Sequence, residues 1–196
     1  MEEKKLTEKE SLELISQMIR NTQTKMEENS GTMFLIWGYT TIGVTLLVWL
    51  VLTLTHDYSW QWLWFLLPVG GSILSLLHVK REARKPHAST YIDRIVWYIW
   101  TVLGTTGFIL SMVSIISYKF PILFVIVLIM GMGTTLTGLV IRFKAHVFSG
   151  ILGMVASVAF LFVDWQTQML MFSVVFLVMM VIPGHILNYT ARKRNK

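Results

Sequence analysis

The chain has 196 residues, of which 54% are hydrophobic and only 14% charged, outside the usual range for a soluble globular domain. Cysteine is absent, which excludes disulfide frameworks, thiolate metal sites and cysteine nucleophiles. A formal charge of +6 suits nucleic acid or a membrane surface, and the positions of the bases favour the membrane, with no direct nucleic-acid binding expected.

Residues 1–32 form a mixed-charge segment that is expected to lie in the cytoplasm. Thr7-Glu8-Lys9-Glu10 reads as a capping box, so a helix is expected over about residues 8–28. Leu12, Ile15, Ile19 and Met26 recur at helical spacing, and Leu14 and Met18 widen the stripe. The segment carries five basic and seven acidic side chains, which disfavours docking on anionic lipid. The stripe is therefore expected to dock on the loops of its own bundle, on a second copy, or on a soluble cytoplasmic protein.

Six apolar runs follow, at residues 33–55, 60–79, 95–117, 121–141, 147–163 and 169–189. Crossing a hydrocarbon core of roughly 30 Å takes about 20 helical residues, so each run reads as a membrane span, the fifth being the shortest. No run contains Asp, Glu, Lys or Arg. The expected fold is all-α: a six-span transmembrane helical bundle preceded by a cytoplasmic amphipathic helix and closed by a basic tail at 190–196. All of the 17 basic residues except Lys119 fall in the N-terminal segment, in alternate loops and in the tail. The positive-inside rule then places both termini in the cytoplasm, in what would be a bacterial inner membrane.

The even spans end alike, with Gly71, Gly133 and Gly184 each followed three residues later by Leu and then by a base. This pattern suggests three helical hairpins of similar design. Helices in lipid associate through small residues, so Gly104, Gly107, Ser111 and Ser114 in the third span and Ser149, Gly153 and Ser157 in the fifth are expected to face the interior. In the last span, Pro183-Gly184-His185 interrupts the helix and is expected to form either a kink or a ligand or ion site. Met130 with Met132 and Met169 with Met171 stand two apart, on different helix faces, which suits packing rather than copper. His78, His146 and His185 share the cytoplasmic side without a metal-ligand spacing.

No metalloprotease, P-loop, dinucleotide, zinc-finger or nucleophile-elbow motif occurs, and no acid lies within a span, so neither an enzyme nor an ion-coupled pump is indicated. No cofactor is expected. Leu14-Ile-Ser-Gln-Met-Ile19 and Phe34-Leu-Ile-Trp-Gly-Tyr39 resemble a group of uncharacterised small bacterial multi-pass membrane proteins, over roughly the first 50 residues. The resemblance carries no catalytic residues and implies an association with winged-helix regulators, hence a cytoplasmic partner. The expected function is a non-enzymatic scaffold, sensor or regulatory relay acting through the N-terminal helix. The alternative is a permease or channel for a neutral or lipophilic solute, lined by the span hydroxyls.

Overall fold

A computed structural model describes residues 8–82, 91–116 and 120–194. Among these residues every regular element is helical. The order is α1 (Glu8–Thr55), a 3-10 helix (Tyr58–Phe65), α2 (Leu66–Glu82), α3 (Tyr91–Ile116), α4 (Ile122–Val140), α5 (Lys144–Ser157), a 3-10 turn (Val158–Leu161), α6 (Trp165–Phe176), a π segment (Leu177–Val181) and α7 (Ile182–Arg194). They supply six helices long and apolar enough to cross a bilayer: Gly31–Thr55, Tyr58–Arg81, Tyr91–Ile116, Ile122–Val140, Lys144–Leu161 and Trp165–Lys193. The protein is an all-α membrane protein of six spans. The capping box at Thr7, His87 and Lys119 lie outside the described residues.

The first departure from expectation is that the N-terminal helix and the first span are one element. Helix α1 runs 48 residues without interruption, about 72 Å at 1.5 Å per residue. The N-terminal helix is expected to end near residue 28, but Gly31 is buried inside the continuous helix, against the Asn188 side chain. A Cβ there would also come within 3.1 Å of the Gly184 carbonyl oxygen, and one on Gly184 within 3.2 Å of the Gly31 carbonyl. The missing side chains serve helix–helix approach, not a turn.

The second span starts as eight residues of 3-10 helix. Pro68 has no N–H to return to the carbonyl of Trp64, so the α ladder becomes regular only past that point. The fifth span compensates for its brevity by starting at Lys144 and tightening its last turn. Fourteen α residues and four 3-10 residues reach roughly 29 Å, enough for the hydrocarbon core.

Buried surface is distributed unevenly. Only 6% of the second and third spans is buried, against 56% of the last, so α6, the π segment and α7 form the centre while α2 and α3 lean on the outside. The core joins Phe34, Val48 and Leu52 of α1, Val127 of α4, Phe160, and Phe172, Phe176 and Met179 of the last span. Consecutive spans pair in one recurring way: Trp37 of α1 lies over Gly71 of α2, and Trp100 of α3 lies over Gly133 of α4. Gly184, the third glycine of the repeat, meets α1 rather than α5.

The tightest pair is α4 with α5. Helix α4 ends in a Schellman turn, with Arg142 at φ 56°, Phe143 N–H bonding the Gly138 carbonyl at 2.8 Å, and Arg142 N–H bonding that of Leu139 at 3.3 Å. The returning helix lies so close that a Cβ on Gly131 would stand 2.9 Å from the Gly150 carbonyl oxygen. In the third span, Gly107 packs on Ile126, but Gly104 is exposed, and a Cβ there would meet nothing within 4 Å. The expectation that Gly104 faces the interior is therefore corrected: α3 touches α4 along one narrow edge, and Gly104 lies off it. Ser111 is half-buried and donates to the Gly107 carbonyl at 2.8 Å, and Ser114 is also half-buried.

Gly131→Leu should accordingly lower stability in detergent by about 1–3 kcal/mol, the usual range for overpacking. Gly104→Leu should stay within about 0.5 kcal/mol of wild type, as expected of an open site. Thermal unfolding followed by circular dichroism compares the two.

Candidate functional site

Five spans meet toward the end of the bundle that carries the α4–α5 turn and the end of α7. Phe34 of α1 is buried there, its ring edge-on to Trp100 of α3 at 5.8 Å and to His146 of α5 at 4.2 Å. Phe143 closes the other side of the imidazole at 5.2 Å. Trp100 Nε1 donates to the Thr137 hydroxyl of α4 at 3.1 Å, which fixes the indole over Gly133.

His146 has no exposed surface, and neither ring nitrogen has a hydrogen-bond partner. Buried polar groups are nearly always paired, and leaving one unpaired costs about 1–3 kcal/mol. Phe34 and Phe143 pack T-shaped on the imidazole, and Gly138 allows the His146 Cβ and the Val147 nitrogen to approach α4 closely. This imidazole is thus a polar group held in an apolar socket.

The last span meets the same socket through an irregular backbone. The Ile182 N–H bonds the Leu177 carbonyl, five residues back, and opens a π turn. Pro183 has no N–H to offer the Met179 carbonyl. That oxygen is reached instead by the Ser149 hydroxyl of α5 at 3.2 Å, the same hydroxyl that stands 3.2 Å from the His146 carbonyl. In lipid a freed carbonyl needs such a partner, because no water is at hand. Gly153, one turn along α5, leaves room for the Met179 side chain.

The three interrupting residues therefore act separately. Pro183 frees a carbonyl, Gly184 admits α1, and His185 is exposed with Nε2 2.8 Å from the Tyr39 hydroxyl of α1. The interruption is a π bulge. Asn188 packs against Gly31, with Oδ1 buried and unpartnered.

Of the small residues expected at contacts, Ser149, Gly153 and Ser157 do face the bundle, Ser157 being fully buried with its hydroxyl 2.6 Å from the Met154 carbonyl. Gly131, Gly138 and Gly150 carry the α4–α5 contact and were not singled out from the sequence, although Gly131 and Gly138 with Thr134 recur at steps of three and four. Leu12 is 66% exposed on α1, and the side chains of Ile15, Ile19 and Met26 lie outside the described residues. Among the described residues no three His, Asp or Glu side chains group to hold a metal ion: His146 is sealed in its socket while His185 faces outward beside Tyr39. Met169 is buried and Met132 exposed.

No protein-family description, curated protein or solved structure matches the chain.

Two substitutions in this junction should affect stability differently. Ser149→Ala abandons the Met179 carbonyl and should destabilise by about 1 kcal/mol. His146→Phe removes two unpaired nitrogens from an aromatic socket and should be neutral or stabilising. Thermal melts of both variants in one detergent give the comparison.

Proposed function

We propose that the protein is a non-enzymatic regulatory relay or scaffold of the bacterial cytoplasmic membrane, with both termini in the cytoplasm and the N-terminal part of α1 as its working arm. The observation that carries this reading is the continuity of α1. One helix extends from Glu8 to Thr55, and at Gly31, Phe34 and Gly38 it passes the junction that holds His146 and the π bulge. A change in how α1 seats on the last span would move residues 8–30 as a rigid lever about 35 Å long.

Leu12, at the start of the stripe, is largely exposed. Leu12, Ile19 and Met26 stand seven residues apart, and Ile15 follows Leu12 by three, the spacing of a coiled-coil seam. A second helix fits this stripe, and the balanced charge of the segment argues against anionic lipid as its cover. The partner is a second copy or a cytoplasmic regulatory protein.

The permease reading has less support. Thr41, Thr45, Thr134, Thr137, Ser157 and Ser173 are almost wholly buried in helix contacts. Thr134 is turned to the Met130 carbonyl, Thr137 accepts from Trp100, and Ser173 is turned to the Met169 carbonyl. The hydroxyls of Thr134, Thr137, Ser157 and Ser173 are thus occupied in packing, while Thr45 Oγ1 is buried without a partner.

Replacing Leu12 and Ile19 together by Glu should abolish self-association or capture of the partner, read by in-membrane cross-linking, while the melting temperature of the bundle stays near that of wild type. Deleting residues 1–28 should do the same. Undiminished cross-linking in both variants would overturn the relay.

A further inference from the structure

The other end of α1 holds a feature that the relay does not use. Helix α1 stops in a single left-handed residue, His56 at φ 52°, whose N–H bonds the Leu52 carbonyl at 3.0 Å. The chain turns sharply there, so that Tyr58 and the start of α6 come up beside the last turns of α1. Between them lies a cavity of about 150 Å³, several times the roughly 30 Å³ share of one water. Three aromatic residues, Trp49, Tyr58 and Trp165, line it together with Thr53, His56 and Gln166.

Among the described residues, two carboxylates adjoin its lining residues in the chain. Asp57, between His56 and Tyr58, accepts from the Ser59 N–H at 2.9 Å, and Asp164, preceding Trp165, accepts from the Thr167 N–H at 3.1 Å and its hydroxyl at 2.8 Å. These bonds, from Ser59 in one case and Thr167 in the other, hold both carboxyls below the ordinary carboxylate range, so both are ionised at neutral pH. Among the described residues no Lys or Arg lines the cavity. The positive end of the α6 dipole, which would favour an anion, is capped by Asp164.

Aromatic walls, neighbouring negative charge and a cavity larger than a water molecule suit a bulky, weakly hydrated cation more than a small hydrated one. We propose that this cavity binds an organic ammonium group, carried either by a free quaternary amine or by the headgroup of a zwitterionic phospholipid. The site lies where the span ends meet the interfacial region, accessible to either source. It bridges α1 and α6, and its occupancy is independent of whether the N-terminal lever acts on a partner.

The test uses the full chain in nanodiscs of phosphatidylglycerol alone, which lacks an ammonium group, with equilibrium dialysis of labelled choline. The comparison ligand is the uncharged isostere of choline in which a quaternary carbon replaces the nitrogen. Choline should bind saturably and at least about tenfold more tightly than the isostere, the scale of a desolvated cation–π contact. Trp165→Leu and the exposed Tyr58→Leu should each weaken choline severalfold, while Trp165→Phe, which keeps an aromatic face, restores most of it.

Replacing half of the phosphatidylglycerol by phosphatidylcholine, compared with an equal replacement by an uncharged glycolipid so that the surface charge is the same, separates the sources: a midpoint raised severalfold only by phosphatidylcholine identifies the lipid headgroup as occupant, and equal midpoints a free amine. Equal binding of choline and its isostere would overturn the proposal. So would choline binding unaltered in both Leu variants, or no saturable binding in phosphatidylglycerol discs. Deleting residues 1–28 should leave the dialysis result unchanged, so failure of the lever and failure of this site are distinguishable.

Discussion

Lipid tails are as apolar as leucine, so a bundle of membrane helices gains little from burying apolar surface and must draw its cohesion from close contact. In this protein that requirement is met most consequentially where α1 crosses the last span at Gly31 and Gly184. Each glycine lets the backbone of the other helix come so near that a Cβ would be crowded, at 3.1 and 3.2 Å. Because Gly31 is used in this way, the helix does not end at it, and the polar N-terminal segment is continuous with the first span. The long lever, the seating of Phe34 beside His146 and the course of the last span all follow from that crossing.

Close contact brings a second demand, that each backbone group removed from water finds a partner. Pro183 breaks the ladder of the last span, and the hydroxyl of Ser149 on a neighbouring helix takes the carbonyl left over. The π turn, the proline and the serine form one compensated unit across two helices. His146 stands beside it uncompensated, both nitrogens buried without a partner. A stable bundle keeps such a group at a cost, and its position between α1, α4, α5 and the bulge makes it the part of the core where a second arrangement would be least expensive.

The two ends of α1 are thus built differently. At one end Leu12 is exposed, and at the other an aromatic cavity is shaped by the αL residue that terminates the same helix. A single rigid element connects them past the irregular junction. That arrangement suits the relay proposed above, and the hydroxyls of Thr134, Thr137 and Ser173 are taken up within the packing.

The location of the six spans was legible in the chain because the cost of a charge in hydrocarbon keeps Asp, Glu, Lys and Arg out of every crossing, and that rule needs no knowledge of neighbours. The contact face of the fifth span was legible for a similar local reason, since Ser149, Gly153 and Ser157 recur on one side of the helix. Local reasoning ended where the identity of the neighbour matters. Gly104 and Gly107 have the same spacing signal, yet one is open and the other is packed, because α3 leans on α4 along a single edge. The helix expected over about residues 8–28 and the span expected from residue 33 are one element, and Gly31 between them meets Asn188 and Gly184. The sequence by itself determined that the chain crosses lipid and where; the tertiary structure decided which glycines join helices and which stand open, because that depends on what stands opposite an absent side chain.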